Sequence, residues 1–200
     1  MKKRIILIGG APTAGKSTIA ALLSKHLDIP WISTDQIREI MQSTVSNSDY
    51  QSLFEDRDIS GEEFLNKYSA QEIVQKEKRQ AEETWKGIAA FIRNAYPWKS
   101  FIIEGIAILP HLMAQDFSQD KTIEPVFLVD TDADRIRDVV FTRGLWDDAR
   151  TYSDDIKEKE IEWVLLFSRE IQKEAEKSGY PCIEVTKRES DLPLVLEVLT

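Results

Sequence analysis

The chain of 200 residues has a single cysteine, Cys182, and only two histidines. One cysteine cannot form a disulfide within the chain, so a small disulfide-rich secreted fold is excluded and we expect a protein of the reducing cytoplasm. A zinc-type site needs a cluster of cysteine and histidine ligands, and the sequence offers none.

Positive charge is also scarce, since 26 lysines and arginines face 35 acids and the formal net charge is −9. A general nucleic-acid surface needs a basic face, so we expect no nucleic-acid partner. No apolar run approaches the roughly 20 residues that a membrane-spanning helix needs, so we expect no membrane association. A small anionic ligand needs only a local group of donors, and it remains compatible with this composition. We expect a monomer or a homodimer.

One motif dominates the sequence, the run GAPTAGKS at residues 10–17. It has the form G-x-x-x-x-G-K-[ST] of a phosphate-binding P-loop. The apolar run at residues 4–9 predicts a buried strand before it, and apolar residues at helical spacing predict a helix from Ser17 to Leu27. Strand, glycine loop and helix follow in the order that binds a nucleoside triphosphate, for which ATP is the expected ligand.

The chemistry of this loop assigns a role to each part. Glycines let backbone N–H groups turn toward an anion, and the helix N-terminus adds further donors. Lys16 is expected to reach the β- and γ-phosphates, and Ser17 to ligate Mg²⁺. Thr18 is expected to bind the α-phosphate. The expected nucleotide-binding residues are Gly10, Ala11, Pro12, Thr13, Ala14, Gly15, Lys16, Ser17 and Thr18.

Five short apolar runs predict strands, and helical patterns separate them. This alternation predicts a doubly wound parallel α/β sheet of the P-loop NTPase type, in one domain over residues 1–200. The predicted strands are residues 4–9, 30–33, 100–105, 125–130 and 181–185.

The segment between the second and third strands, residues 42–98, is mainly helical in composition. A polar loop is expected at residues 42–51. Two capping boxes, beginning at Ser60 and Ser69, then predict a short and a long helix, and Pro97 is expected to end the second. We expect this lobe to cover the acceptor substrate.

Asp35 follows the second predicted strand, at the edge of the sheet where α/β proteins bind ligands. It is the candidate base for an acceptor hydroxyl or an outer Mg²⁺ ligand, although an aspartate there also suits a helix N-cap. Arg38 lies one turn later on the same helix face and is a candidate for binding an acceptor carboxylate or phosphate. A solvated surface arginine is an equally good interpretation of Arg38.

Glu104 ends the third, otherwise apolar, predicted strand. A buried strand has little reason to end in an acid without a partner, so Glu104 is a candidate to hold Mg²⁺ or its water and to line the substrate site. The metal-ligand set predicted from the sequence is therefore Ser17, Asp35 and Glu104.

Two arginines, Arg143 and Arg150, flank a short segment after the fourth strand. Residues 143–153 are expected to form a lid whose arginines neutralise charge that develops during phosphoryl transfer. For Arg143, a simple interaction with the C-terminal dipole of a helix is the alternative.

Two segments together, residues 9–18 (GGAPTAGKST) and 32–41 (ISTDQIREIM), resemble 2-phosphoglycerate kinase and its P-loop kinase relatives. Residues 103–105 with Pro110 are similar to the third-strand segment of that family, and residues 134–175 resemble it more loosely. The resemblance implies strand order 2-3-1-4-5 and ATP- and Mg²⁺-dependent phosphorylation of a small hydroxyl-bearing metabolite. It also implies that Asp35 and Arg38 lie in the acceptor site.

Other functions share this core. Nucleoside or nucleotide kinases and antibiotic phosphotransferases have the same fold, and a nucleotide-dependent ATPase switch needs no acceptor. A GTPase is excluded because no N-K-x-D motif follows a strand; residues 66–69 (NKYS) do not match.

Overall fold

The computed structural model describes residues 3–94, 99–145, 149–186 and 191–199. Within these ranges the chain forms a five-stranded, wholly parallel sheet with order β2-β3-β1-β4-β5. The predicted fold class and strand order are therefore confirmed. The strands are β1 (Arg4–Gly10), β2 (Trp31–Ser33), β3 (Ser100–Glu104), β4 (Ile123–Val129) and β5 (Cys182–Glu184).

Helices connect the strands. They are α1 (Lys16–Leu27), α2 (Thr34–Thr44), α3 (Gln51–Phe54), α4 (Gly61–Lys67), α5 (Ala70–Asn94), α6 (Pro110–Phe117), α7 (Ala133–Thr142), α8 (Asp154–Ser178) and α9 (Leu192–Val198), with a short 3-10 turn at Ala149–Thr151.

The central strand β1 is buried on both faces of the sheet. Ile5 and Leu7 belong to a large apolar cluster with residues of α2, α5, α6, α7 and α8. Ile6 and Ile8 point the other way, into a second cluster that includes residues of α1 and α9. Because side chains alternate along a strand, this continuous apolar run supplies both cores of a doubly wound sheet.

The register of the sheet determines which strand ends meet. Glu104, the last residue of β3, lies beside Ile8 of β1 on one side and Ser33 of β2 on the other. The P-loop begins directly after β1, and Asp35 follows β2. Parallel strands thus bring the loop, Glu104 and Asp35 to one edge of the sheet.

Residues 42–94 form most of the expected helical lobe; residues 95–98, including Pro97, lie outside the described part of the chain. Both capping boxes are present. At the first, the Ser60 hydroxyl accepts from the Glu63 N–H, and that glutamate accepts from the Ser60 N–H. Ser69 and Glu72 make the same pair of bonds at the start of α5.

One expectation about a loop in this region is wrong in its bounds. The predicted loop at residues 42–51 begins too early, because α2 continues to Thr44 and α3 begins at Gln51. Gln42 is buried in α2, and its side-chain amide donates a hydrogen bond to the carbonyl of Leu53. This bond joins the last part of α2 to α3.

Candidate active site

The P-loop leaves β1 through a tight glycine turn. Gly10 has φ 134, and a Cβ there would lie 1.9 Å from the carbonyl oxygen of Leu128 on β4. Only glycine fits so close to the neighbouring strand. Helix α1 then begins at Lys16, and its N-cap residue is Gly15, which has no side chain to cap the helix. The backbone N–H groups of the first turn therefore point into the loop without a side-chain acceptor. Such donors suit a phosphate.

Thr13 lies at the top of this loop in a strained conformation. Its φ of 69 is unfavourable for a β-branched residue. Its hydroxyl is buried and makes no hydrogen bond within the described residues. A strained loop with an unpartnered buried hydroxyl has the properties of a ligand cradle.

Lys16 curls back over the loop, where its Nζ donates to the carbonyl of Ala11 at 2.6 Å. Burial lowers the pKa of Lys16, whereas the nearby carboxylates of Glu104 and Asp35 act in the opposite direction. A partly desolvated ammonium group gains from an anion more than a fully hydrated one does. The ammonium group of Lys16 therefore lies at the P-loop, held by a single backbone carbonyl, in the position expected for a phosphate ligand.

Glu104 is 3% exposed, and its Oε1 accepts a hydrogen bond from the Ser17 hydroxyl at 3.1 Å. Burial raises the pKa of Glu104, while Lys16 and the hydrogen bond from Ser17 favour its charged form. A hydroxyl beside a carboxylate at a phosphate loop is the donor set that Mg²⁺ accepts alongside phosphate oxygens and water. The pair fits the predicted metal site, and within the described residues no cluster of three or more His, Cys, Asp or Glu side chains forms a separate one.

Asp35 lies in the first turn of α2, but it does not cap the helix. The N-cap is Ser33, which forms a capping box with Gln36. The capping interpretation of Asp35 is therefore wrong, and its side chain, 63% exposed, faces the cleft. Its Oδ1 lies 3.4 Å from Nη1 of Arg38.

Gly105, which follows β3, allows the start of α2 to lie close to the end of that strand. Gly105 has φ 149, and a Cβ there would lie 1.8 Å from Oγ1 of Thr34, the first residue of α2. The approach places Asp35 beside Glu104 at the end of the sheet.

Arg38 faces the same cleft and is partly buried. Besides its contact with Asp35, its Nη1 donates to Oε1 of Gln80 on α5 at 3.1 Å. This bond to the lobe argues against the interpretation of Arg38 as a solvated surface arginine.

The two lid arginines lie in different places. Arg143 is the C-cap residue of α7, and it lines the cleft together with Leu145. Arg150 is exposed in the 3-10 turn and is not among the described residues that line the cleft; its carbonyl accepts from Lys157 Nζ at 3.3 Å. Residues 146–148, the middle of the expected lid, lie outside the described residues.

The structure adds two residues that the sequence analysis missed, Glu77 on α5 and Trp163 on α8. Both line the P-loop cleft. The indole N–H of Trp163 is buried and makes no hydrogen bond within the described residues. Burial raises the pKa of Glu77 to about 7, although Arg38 opposes this. One sequence signal pointed to Glu77: it interrupts the apolar stripe of α5 at four-residue spacing between Ile73 and Ala81.

Two neighbouring cavities meet at this edge of the sheet. The P-loop cleft has a volume of about 350 Å³ and contains Lys16, Asp35 and Glu104 in its walls. A second cavity of about 260 Å³ lies between α2, α3, α4 and α5. Arg38 and Glu77 line both. We call the second cavity the lobe pocket. A donor and an acceptor could therefore bind side by side.

In the part of the chain that the structure describes, no helix is long and apolar enough to cross a membrane.

Comparison with known proteins agrees with this architecture. Over 98% of its length, the chain is 25% identical to the 2-phosphoglycerate kinase of Methanocaldococcus jannaschii, of which it covers 63%. It is 36% identical to that of Methanococcus vannielii over 60% of this chain and 40% of the relative. The chain thus spans less than two thirds of the length of these curated relatives.

A solved structure, the shikimate kinase of Bacteroides thetaiotaomicron, has the same fold. It superposes with a TM-score of 0.57 over 98% of each chain at 15% identity. The family model of chloramphenicol phosphotransferase-like proteins matches residues 3–120. These matches confirm the resemblance to P-loop small-molecule kinases. Since the family match covers more than half of the sequence, the chain belongs to the chloramphenicol phosphotransferase-like protein family.

Proposed function

We propose that the protein transfers the γ-phosphoryl group of ATP to a hydroxyl group of a small acceptor, with Mg²⁺ bound at the P-loop. The observation that carries this proposal is the convergence of Lys16, Glu104 and Asp35 on one cleft that adjoins a second, separate cavity. A protein that only hydrolyses ATP needs no second cavity beside its nucleotide site.

The donor half of the reaction rests on the loop. Backbone N–H groups of residues 13–18 would bind the phosphates, and Lys16 would leave the Ala11 carbonyl for a phosphate oxygen. Ser17 and Glu104 would hold Mg²⁺, directly or through water, and Asp35 would be a further outer ligand in the alternative in which it does not act as the base. The ion would supply charge neutralisation at the β- and γ-phosphates.

The acceptor half rests on Asp35. Its exposed carboxylate would accept the proton of the acceptor hydroxyl as the new oxygen–phosphorus bond forms and the bond from the γ-phosphorus to the bridging oxygen of ADP breaks. Arg38 would orient the acceptor, and Arg143 would stabilise negative charge on the transferred group. The helical lobe would cover the acceptor, and residues 143–153 would close as a lid, with Arg150 as its second arginine.

The names of the relatives offer 2-phosphoglycerate as one candidate acceptor. A nucleoside or nucleotide is the second candidate, because the same core serves such kinases. An acceptor-independent ATPase switch is the alternative outside kinases.

The test is ADP release by the purified protein with Mg·ATP, in the presence and absence of glycerates, sugars, nucleosides and aminoglycosides. We expect one acceptor class to stimulate ADP release and to appear as a phosphorylated product. In Asp35→Asn, we expect transfer to fall by roughly 10²- to 10⁴-fold while ATP binding is retained.

Asp28→Asn is the matched control. It makes the same chemical change at the C-terminal end of α1, where the left-handed conformation of Asp28 also suits asparagine. ATP hydrolysis that no acceptor stimulates would contradict the kinase proposal and favour the switch.

A further inference from the structure

Two tryptophans are buried in the described part of the chain, Trp85 on α5 and Trp163 on α8, which are 3% and 2% exposed. Their indole N–H groups differ. Nε1 of Trp85 donates to Oδ2 of Asp116 at 2.7 Å, and a buried indole usually has such a partner. Nε1 of Trp163 is buried as well, but no residue that the structure describes accepts a hydrogen bond from it.

A buried donor without a partner destabilises the folded chain, because it gives up its hydrogen bond to water and receives none in return. In the wall of a cleft, such a donor is explained if the ligand supplies the missing acceptor. Trp163 lines the P-loop cleft, and so does Thr13, whose hydroxyl is also buried and unpaired among the described residues. Two unpaired donors in the walls of one cleft indicate a ligand that carries hydrogen-bond acceptors.

The indole of Trp163 is held in place by its neighbours. Its ring lies edge to face with the ring of Phe167, four residues later on α8, with 6.3 Å between the centroids and 80° between the planes. Both rings belong to the large apolar cluster of α2, α5, α6, α7 and α8. A donor fixed in this way loses little conformational freedom when a ligand binds, so it can orient that ligand.

The position of Trp163 relative to the sheet decides which ligand it meets. It packs on the same face of the sheet as α2, whereas α1, whose first turn is expected to bind the phosphates of ATP, packs on the opposite face. Asp35 and Arg38 of the proposed acceptor site lie on α2, and both line the cleft together with Trp163. The indole therefore lies on the acceptor side of the cleft.

The cleft also offers carbon surface to a ligand. Ile106 and Leu145 line it together with Trp163, and both are only half-buried. Apolar side chains pack against carbon atoms of a ligand, while the indole N–H requires an oxygen or another acceptor atom, because it can only donate. The lining thus fits a molecule with an oxygen atom on a carbon skeleton.

We propose that Trp163 binds and orients the acceptor. Its indole N–H donates a hydrogen bond to an acceptor oxygen other than the attacking hydroxyl, whose nucleophilicity a donor would weaken, and its ring packs against the carbon skeleton. Asp35 and Trp163 then hold the acceptor at two points, which fixes the direction of attack. Because Nε1 is buried before the ligand binds, the bond forms together with a small shift of the cleft wall, to which Leu145 of the expected lid belongs. This inference rests on the proposed kinase function and deepens it.

The first test is the steady-state kinetics of Trp163→Phe, which keeps an aromatic ring but has no N–H. The assay uses Mg·ATP and whichever of glycerate, 2-phosphoglycerate, glucose, adenosine and kanamycin stimulates ADP release most in the wild type. We expect KM for this acceptor to rise about three- to tenfold, because one neutral hydrogen bond is lost. KM for ATP should not change.

Trp85→Phe is the matched control, since it makes the same change in a buried tryptophan that is not among the described residues lining the cleft. It should leave both KM values unchanged. Its Tm should fall further than that of Trp163→Phe, by roughly 2–4 °C, because only Trp85→Phe removes a hydrogen bond of the folded chain, the one to Asp116.

A measurement on the wild-type chain tests the bond without relying on the folding of a variant. In protein labelled with nitrogen-15 tryptophan, each indole N–H gives its own NMR signal, and the signal absent from Trp163→Phe or Trp85→Phe identifies its residue. On addition of the acceptor, we expect the Trp163 signal to move downfield as the new hydrogen bond forms. The Trp85 signal should stay in place, because that N–H is already bonded.

The outcomes separate this inference from the proposed function. If ADP release is stimulated but Trp163→Phe leaves the acceptor KM unchanged, or if no indole signal moves when the acceptor binds, the inference is overturned while the kinase function stands. Equal rises in KM for ATP and for the acceptor would also overturn it, since the indole would then act on the whole cleft. If none of the compounds stimulates ADP release by the wild type, the kinase proposal falls, and the inference falls with it.

Discussion

The P-loop cleft and the lobe pocket are neighbours that share Arg38 and Glu77, but they are built in different ways. The cleft is organised by backbone: a glycine turn, an uncapped helix start and the ends of adjacent parallel strands. The lobe pocket is organised by side chains of four helices that approach one another across the chain. A site made of backbone can be recognised as a short motif, whereas a site made of distant side chains leaves no local signature.

The largest expected effect belongs to the cleft. In Lys16→Ala, we expect phosphoryl transfer to fall on the order of 10²- to 10³-fold, because the variant lacks the ammonium group that would stabilise charge on the transferred phosphoryl. Thermal stability should not fall, since burial of Lys16 disfavours its charged form in the folded state. Activity assays and thermal unfolding measure the two effects.

Lys25→Ala, in the exposed last turn of the same helix, is the control for this variant. If Lys16→Ala transferred phosphate at the wild-type rate, the cleft would not be the donor site and the comparison of the two cavities would lose its basis.

The second-largest expected effect concerns Glu77, which lies on the wall that the two cavities share. Burial raises the pKa of Glu77 from 4.5 to about 7, so the folded state holds this proton more tightly than the unfolded state does. Wild-type stability should therefore decline as pH rises from about 4.5 through 7, where the unfolded chain has already released the proton. Glu77→Gln does not titrate, and at pH 8 it should be more stable than wild type by about 2 kcal/mol.

Thermal unfolding at pH 5 and at pH 8 measures this difference, which should be largest at pH 8 and correspond to about 6 °C in Tm for a chain of this size. The control Glu82→Gln makes the same change at an exposed position of α5 and should show no such trend. A variant Glu77→Gln that is less stable at both pH values would indicate a structural role instead of a ligand-binding one.

The smallest expected effect concerns the stability that Asp56 contributes within the helical lobe. Burial acts to raise the pKa of Asp56, but hydrogen bonds from Lys67, Lys76 and Tyr68 outweigh it and lower the pKa to about 2. Because the folded pKa lies below the ordinary value of 3.8, Asp56 stabilises the fold above about pH 4, and this contribution is lost as pH falls toward 2.

We expect Asp56→Asn to lower the free energy of unfolding by about 1 kcal/mol at pH 7, and by less near pH 2.5. The effect at pH 7 is small because Lys67 is half exposed and solvent partly screens its ion pair with Asp56. The left-handed backbone of Asp56 also suits asparagine. Denaturant unfolding at both pH values measures this. A difference that does not depend on pH would show that the ion pairs do not stabilise the lobe.

Much of the P-loop cleft could be predicted from the sequence, for physical reasons. Residues 10–17 must turn tightly and open a helix, and both requirements are local. Glu104 could be recognised because an acid at the end of an apolar strand needs a partner, which is the Ser17 hydroxyl.

Other parts could not be predicted in this way. An N-cap role is the alternative that the sequence allows for Asp35, but Ser33 caps α2, because Ser33 with Gln36 makes a complete capping box. Gln42 lies within α2 and donates to the carbonyl of Leu53, a contact that no local pattern indicates. Glu77 interrupts the apolar stripe of α5, which the sequence shows. Only the packing of α2 against α5 brings this acid into the same cleft as Arg38 and Asp35.

By itself, the sequence determined the P-loop, the alternation of strands and helices, and the two capping boxes, because each depends on residues within a few positions of one another. The tertiary structure alone decided which acids and arginines meet: the strand register brings Glu104 beside Ser33, and the lobe brings Glu77 into the walls of both cavities. Side-chain contacts over such distances depend on the packing of whole helices and strands, so no pattern of neighbouring residues indicates them.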